Sequence, residues 1–156
     1  MSPQRIASTI RREVPSLRDD ERLADAVAKL LEIDVPALPV VDARDKLLGI
    51  FGEREFIGAL FPGYLTTLGY AGFVPRSLDD ALEKRATCVD DPVAKHMNTE
   101  HIDVGEDFSD TQLAEIFLHH RVLIIPIVDG GRVTGIVTRE AFTRALAERL
   151  TPPTSE

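Results

Sequence analysis

A chain of 156 residues has the length of one ordinary domain, or of two very small ones that share a core. Its formal net charge of −8 repels phosphate backbones and anionic lipid, which makes nucleic acid and membrane surfaces poor partners. The single cysteine, Cys88, cannot form an internal disulfide, and no segment approaches the ~20 apolar residues that a membrane helix needs. We therefore expect a cytoplasmic protein.

The first part of the chain predicts a short N-terminal helix, then a strand, a helix, two strands and a closing helix. An extended stretch over 14–17 precedes apolar residues at helical spacing, which run from Leu23 to Leu31 and predict the apolar face of a helix. The run over 38–41 is too short for a helix and rich in branched residues, so it predicts a strand. The second strand and the closing helix are expected over 46–51 and 54–60.

An insertion follows over 61–90. Ser77 is expected to cap a helix over 78–85 within it. Loops of this length are usually functional, so the insertion is interpreted either as a partner-binding segment or as a flap that lies on the module. Its aromatic residues are Tyr64, Tyr70 and Phe73.

Residues 91–150 repeat the same order of elements. Asp91 is expected to cap a helix over 93–97, with Pro92 in its first turn. Ser109 and Gln112 have the spacing of a capping box at the start of the next helix. That helix presents Leu113, Ile116 and Phe117. The other expected elements are an extended piece over 101–104, strands over 123–128 and 132–137, a closing helix over 139–150 and a disordered polar tail over 151–156.

The two halves are copies of one another. Pro39 aligns with Pro126, 87 residues later, inside matching strands. Beyond the turn the offset falls to 86, so that Gly49 aligns with Gly135, and a one-residue gap in a turn is what a hairpin tolerates best. A unit of about 50 residues has too little core to stand alone. We therefore predict an α/β (α+β) fold in which two β-α-β-β-α repeats pack sheet to sheet with pseudo-twofold symmetry.

These boundaries divide the chain into four parts. The first repeat with its N-terminal helix is expected over 1–60, and the insertion with a short helix over 61–90. The second repeat is expected over 91–150, and the tail over 151–156.

The repeated pattern resembles the cystathionine-β-synthase (CBS) domain. It consists of an apolar-Pro-apolar-apolar-Asp run, a turn, then Gly-apolar-apolar-Thr and a helix, and two copies in register resemble a tandem pair, the Bateman module. The resemblance implies a regulatory module, not an enzyme, that binds an adenine nucleotide such as AMP, ADP or ATP in clefts between the repeats. It also implies a homodimer, an unknown regulated protein and no required cofactor. We expect a stand-alone module.

The family's nucleotide signature, Gly-apolar-apolar-Ser/Thr-x-x-Asp, is incomplete in both copies. A Thr at this junction caps the helix and points its hydroxyl toward the helix dipole, where phosphate is favoured. Copy two keeps Thr138 but has Ala141 at the Asp position, and copy one has Gly52 and Glu55 at the two positions. Because neither copy is complete and the two differ, two equivalent sites are not expected. Glu55 can still accept ribose hydroxyls in copy one.

The remaining cleft residues follow from the resemblance alone. Arg54 and Arg139, just inside the closing helices, are candidates for phosphate charge or, equally, solvated surface residues. The apolar lining would be Val14, Leu38 and Pro39 in copy one and Val104, Ile125 and Pro126 in copy two.

Other chemistries lack their patterns. The four histidines have no metal-ligand spacing, and Cys88 with His96 lacks a third orienting group, so neither a metal site nor a catalytic residue is predicted. The alternative function is a ligand-free CBS scaffold that binds a protein partner through the aromatic insertion.

Overall fold

The computed structural model describes residues 6–61 and 85–151, together with positions 79, 82 and 83. Tyr64, Tyr70 and Phe73 of the insertion, the Ser77 cap and residues 152–156 of the tail lie outside the described residues. The first repeat consists of α1 (Ile6–Ile10), β1 (Leu17–Arg18), α2 (Leu23–Ile33), β2 (Ala37–Val41), β3 (Leu47–Gly52) and α3 (Glu53–Leu60). The second consists of β4 (Val104–Gly105), α4 (Asp110–His119), β5 (Ile124–Asp129), β6 (Arg132–Thr138) and α5 (Arg139–Leu150), after 3₁₀ turns at Ala86–Asp90 and Val93–Lys95.

The two three-stranded sheets have the same topology. In each, the first strand runs parallel to the second, and the second pairs antiparallel with the third. Pro39 lies opposite Ile50 and Pro126 lies opposite Ile136, and each hairpin shifts register at the equivalent place. The predicted fold class and strand-helix-strand-strand-helix unit are confirmed.

Backbone bridges show the pseudo-twofold axis directly. Arg12 exchanges two hydrogen bonds of 2.9 Å with Ile136 of β6, and Asn98 exchanges bonds of 2.8 and 2.9 Å with Ile50 of β3. These two pairs are each other's repeat equivalents, so the segment that precedes the first strand of each repeat, here called its entry segment, joins the sheet of the other repeat. A further bridge joins Lys46 to Arg132, which are themselves equivalent and therefore lie beside the axis.

The core has two clusters, and the first belongs to both repeats. It contains Leu38 and Phe51 of the first sheet together with Ile124 and Ile136 of the second, all buried. The sheets therefore pack on one another, as the sequence predicts.

The second cluster is completed by α1, which packs against α5. The carboxylate of Asp110 accepts hydrogen bonds from the N–H groups of Ile6 and Ala7, at 2.6 and 3.0 Å. Because Asp110 begins α4, this cap ties the start of the chain to the second repeat.

Some local expectations are wrong. Leu31 is 77% exposed, because adjacent residues on a helix point about 100° apart and Leu30 takes the core position. Asp91 does not cap a helix over 93–97: Pro92 is the N-cap of a single 3₁₀ turn, and the Asp91 carboxylate lies 2.8 Å from the His96 ring. The strands β1 and β4 begin at Leu17 and Val104, so most of the expected extended pieces lie outside the ladders. By contrast, Ser109 caps α4 by accepting from the N–H of Gln112.

Candidate functional site

Two of the grooves that lie along the seam between the repeats are related by the pseudo-twofold axis. The Thr138 groove has a volume of about 310 Å³. The Arg54 groove has a volume of only about 40 Å³. The Thr138 groove is lined by Ile10, Arg12, Asp34, Pro36, Thr138, Glu140, Ala141, Arg144, Ala145 and Glu148. The Arg54 groove is lined by Ala37, Ile50, Arg54, Glu55, Asn98, His101 and Arg121 to Ile124.

Thr138 lies where β6 ends and α5 begins. Its side-chain oxygen accepts a hydrogen bond of 3.1 Å from the N–H of Ala141, which makes it the N-cap of α5. A threonine hydroxyl can donate one bond while it accepts another. The cap therefore leaves the hydroxyl proton for an acceptor in the groove.

Arg12 lies between α1 and β1 of the first repeat and lines the Thr138 groove. Its guanidinium donates to the carbonyl oxygens of Ile33 at 2.7 Å and Asp34 at 3.4 Å, which lie at the C-terminal end of α2. The second cation of the groove, Arg144, forms an ion pair of 2.9 Å with Glu140 on the same helix. Arg12 was not predicted from the sequence, because its position is set by the bridge to Ile136. The alignment of the two repeats could have indicated it, since Arg12 and Asn98 are equivalent positions.

The Arg54 groove is largely filled by its own side chains. Arg54 Nη1 donates across the seam to the carbonyl oxygen of Arg121 at 2.9 Å. Glu55 Oε1 accepts from the N–H of Gly52 at 2.9 Å, so this carboxylate caps α3. Ligand pockets for drug-sized molecules are usually at least about 300 Å³. The groove as it stands has no room for a nucleotide.

Gly52 is glycine because the backbone approaches it closely. A Cβ at this position would lie 2.5 Å from the Cβ of Ala37, and closer still to the carbonyl oxygen of Pro36. Its φ of −151° is ordinary extended backbone, so packing, and not conformational freedom, excludes a side chain. Copy one therefore cannot carry the hydroxyl that Thr138 supplies in copy two without a local rearrangement.

Burial raises the pKa of the Glu55 carboxyl, even though the N–H of Gly52 favours its ionised form. A carboxyl with a raised pKa in the folded state stabilises the fold below its unfolded pKa, and this contribution is lost as the pH rises through the folded pKa. Glu55→Gln keeps an acceptor for Gly52 and has no charge to desolvate. We expect the variant to be more stable than the wild type at pH 7, with the difference disappearing near pH 4.

Urea unfolding of both proteins between pH 4 and pH 7 measures this difference. The control is Glu53→Gln, because Glu53 is exposed in the first turn of the same helix and its negative charge favours the dipole. This control should lose a little stability at pH 7. A Glu55→Gln variant less stable than the wild type at pH 7 would contradict the interpretation.

The other predicted site residues lie outside the two paired grooves. Arg139 lies on a larger groove of about 730 Å³, which borders the Thr138 groove and shares Asp34, Pro36, Glu140 and Arg144 with it. The N–H of Arg139 donates to the carbonyl oxygen of Leu123 at 2.9 Å. Val14 packs half-buried against the first cluster. The remaining apolar candidates are buried and line neither of the two paired grooves: Leu38, Pro39, Val104, Ile125 and Pro126.

Rival chemistries find no support in the described part of the chain. Burial raises the pKa of the Cys88 thiol, which disfavours the nucleophilic thiolate. His96 contacts Asp91 and not Cys88. Among residues 6–61 and 85–151, no three His, Cys, Asp or Glu residues are placed to hold a metal ion.

A comparison with known proteins decides the family. The model of the CBS domain matches this chain twice, over residues 6–62 and 93–148. The chain belongs to the CBS domain family. As a tandem CBS pair, it matches the predicted family, and the two matched regions are the two repeats described above.

Relatives and solved structures agree with this family. The pair is 26% identical over 127 residues to the uncharacterized 17.7 kDa protein in the bps2 3' region of Acidianus ambivalens, which is 81% of this chain but only 63% of that protein. A CBS-domain-containing protein of Agrobacterium tumefaciens has 23% identity and a TM-score of 0.67, with 90% of each chain covered. The structure of CBSX2 in complex with AMP has 19% identity and a TM-score of 0.68, covering 96% of this chain and 100% of that one. At these identities the solved structures establish the fold of the CBS pair.

Within the residues that the structure describes, no helix of the CBS pair combines the length and the apolar character needed to cross a membrane.

Proposed function

We propose that this CBS pair is a regulatory module that binds one adenosyl ligand per chain in the Thr138 groove. The observation that carries the proposal is the groove itself: about 310 Å³ between the repeats, with the capping hydroxyl of Thr138 and the guanidinium of Arg12 on its walls. The pseudo-twofold equivalent has a volume of only about 40 Å³, and Arg54 donates there across the seam to the carbonyl oxygen of Arg121. A single ligand per chain follows from this asymmetry.

The chemistry of the groove suits a phosphate group. The hydroxyl of Thr138 can donate to a phosphate oxygen at the start of α5, where the helix dipole favours negative charge. The Arg12 guanidinium supplies charge-assisted donors on the same groove. CBSX2, a protein of the same fold, has been solved with AMP, which supports an adenine nucleotide as the first ligand to test.

The carboxylate that would hold the ribose in the family signature is absent at Ala141. Glu140 and Asp34 line the same groove and can accept hydroxyl bonds there. The regulated protein, a homodimer and a cytoplasmic location stay predictions of the sequence.

Titration calorimetry with AMP tests the proposal, using Thr138→Val, Thr138→Ser and the wild type. Losing a hydrogen bond to a charged group costs about 1.5–3 kcal/mol, so Thr138→Val should bind AMP at least roughly tenfold more weakly. Thr138→Ser keeps the hydroxyl and should bind within a fewfold of the wild type. Thr111→Val, an exposed threonine of α4 away from both grooves, is the matched control and should not change binding.

Thermal unfolding adds an independent measurement. AMP at a hundred times its dissociation constant should stabilise the wild type by about 2.7 kcal/mol. If AMP, ADP, ATP and adenosine at millimolar concentration neither bind nor raise the melting temperature, the proposal fails. The interaction scaffold would then be the better account, with the ligand signature lost at Gly52 and Ala141.

A further inference from the structure

We infer that the Thr138 groove selects adenosyl ligands that carry at most one phosphate and discriminates against polyphosphate tails. This inference rests on the proposed function and specifies its ligand. It follows from the charges of the residues that line the groove, three of which are acidic and two of which are arginines. The carboxylates belong to Asp34, Glu140 and Glu148, and the guanidinium groups to Arg12 and Arg144.

The two cations of the groove are already engaged. Arg144 is paired with Glu140 at 2.9 Å, and Arg12 donates to the carbonyl oxygens of Ile33 and Asp34. Arg12 uses two of the five N–H donors of its guanidinium in these bonds, so one phosphate can still bind it together with the hydroxyl of Thr138. The residues that line this groove offer no further guanidinium to a second or third phosphate, because Arg139 lies on the larger groove beside it.

The uncompensated charge on the groove is negative. Within residues 6–61 and 85–151, no ion pair involves the carboxylate of Asp34 or of Glu148. Glu148 lies seven residues after Ala141 on α5, which places the two on the same face of the helix. Each added phosphate group would therefore be repelled by these carboxylates.

The neighbouring Arg54 groove shows the opposite balance. Arg54, Arg121 and His101 line it with Glu55 as the only carboxylate among its lining residues. This more basic groove has a volume of about 40 Å³, too little for a nucleotide. The open groove is thus the acidic one, and selection against extra phosphates follows from where the ligand can enter.

The test compares AMP, ADP and ATP by titration calorimetry on the full chain in magnesium-free buffer at low ionic strength. Like charges several ångströms apart near a protein surface oppose one another by about tenfold in affinity per unit charge. We expect one AMP per chain and affinities that fall by about that factor from AMP to ADP and again to ATP. Added salt should narrow the difference, because it screens exposed charges.

Glu148→Gln identifies the groove charge as the cause. This variant should raise the affinity for ATP severalfold and by a larger factor than the affinity for AMP, since the triphosphate carries the larger negative charge into the groove. Glu115→Gln makes the same change of net charge on exposed α4, away from the grooves, and should alter neither affinity. ATP binding equal to or tighter than AMP binding, or identical behaviour of the two variants, overturns the inference and leaves the proposed function intact. Failure of all three nucleotides to bind overturns the proposed function instead.

Discussion

Gly52→Thr is expected to destabilise the protein by about 3 kcal/mol, although it restores a hydroxyl that the family signature contains. The new Cβ would lie 2.5 Å from the Cβ of Ala37 and 2.9 Å from its Cα, and nearer still to the carbonyl oxygen of Pro36. Overpacking of this kind typically costs 1–3 kcal/mol, and backbone neighbours yield less than flexible side chains. The free energy of unfolding, measured in urea, should therefore decrease by an amount near the upper end of that range.

The matched controls are alanine substitutions at Gly52 itself and at Gly58, a glycine of the helix that follows it. Gly52→Ala places only a Cβ against Pro36 and Ala37 and should already show most of the destabilisation expected for Gly52→Thr. Gly58→Ala lies inside α3, where a Cβ would meet nothing within 4 Å, and should stabilise by about 0.5–1 kcal/mol. A Gly52→Thr protein as stable as the wild type that binds a second AMP would show that this junction moves, contrary to the packing described.

Ile136→Ala should destabilise the whole chain by roughly 2–5 kcal/mol, the usual cost of removing a fully buried large aliphatic side chain. Ile136 belongs to the second sheet but lies, with 0% exposure, in the cluster built around Leu38 and Phe51 of the first. Because this cluster belongs to both repeats, we expect circular dichroism and hydrogen exchange to report one cooperative transition at a lower denaturant concentration.

Leu118→Ala is the control for this substitution. Leu118 is an aliphatic residue of α4 that is 79% exposed, so its truncation should change the free energy of unfolding by less than about 0.5 kcal/mol. Two separate transitions in Ile136→Ala, with the first repeat unaffected, would contradict the shared core.

Much of the fold could be predicted because each copy of the repeat provides an independent check on the elements predicted for the other. The offset that aligns Pro39 with Pro126 places two strand pairs in one register, and the structure has that register in both sheets. Predictions of burial failed where packing between elements decides which side chain faces the core. Leu30 and Leu31 are equally apolar, and only the direction of α2 against its sheet determines that Leu31 faces outward.

The site was less predictable, because its decisive contacts join distant parts of the chain. Thr138 is an N-cap as the motif indicates, since capping depends on spacing along a few residues. Arg12 reaches the same groove through a bridge to Ile136, and no local pattern encodes that pairing. The close approach of Pro36 to Gly52 likewise depends on the packing at the end of the β2–β3 pair, which residue spacing in the sequence does not predict.

The exchange of entry segments between the sheets has a consequence for biosynthesis. The partner of Arg12 is Ile136, which lies 136 − 12 = 124 residues later, so the second sheet can acquire its outer bridge only after Ile136 has left the ribosome. Pairings of such long sequence separation form slowly. The backbone groups of Arg12 therefore stay without this partner while the intervening residues are synthesised.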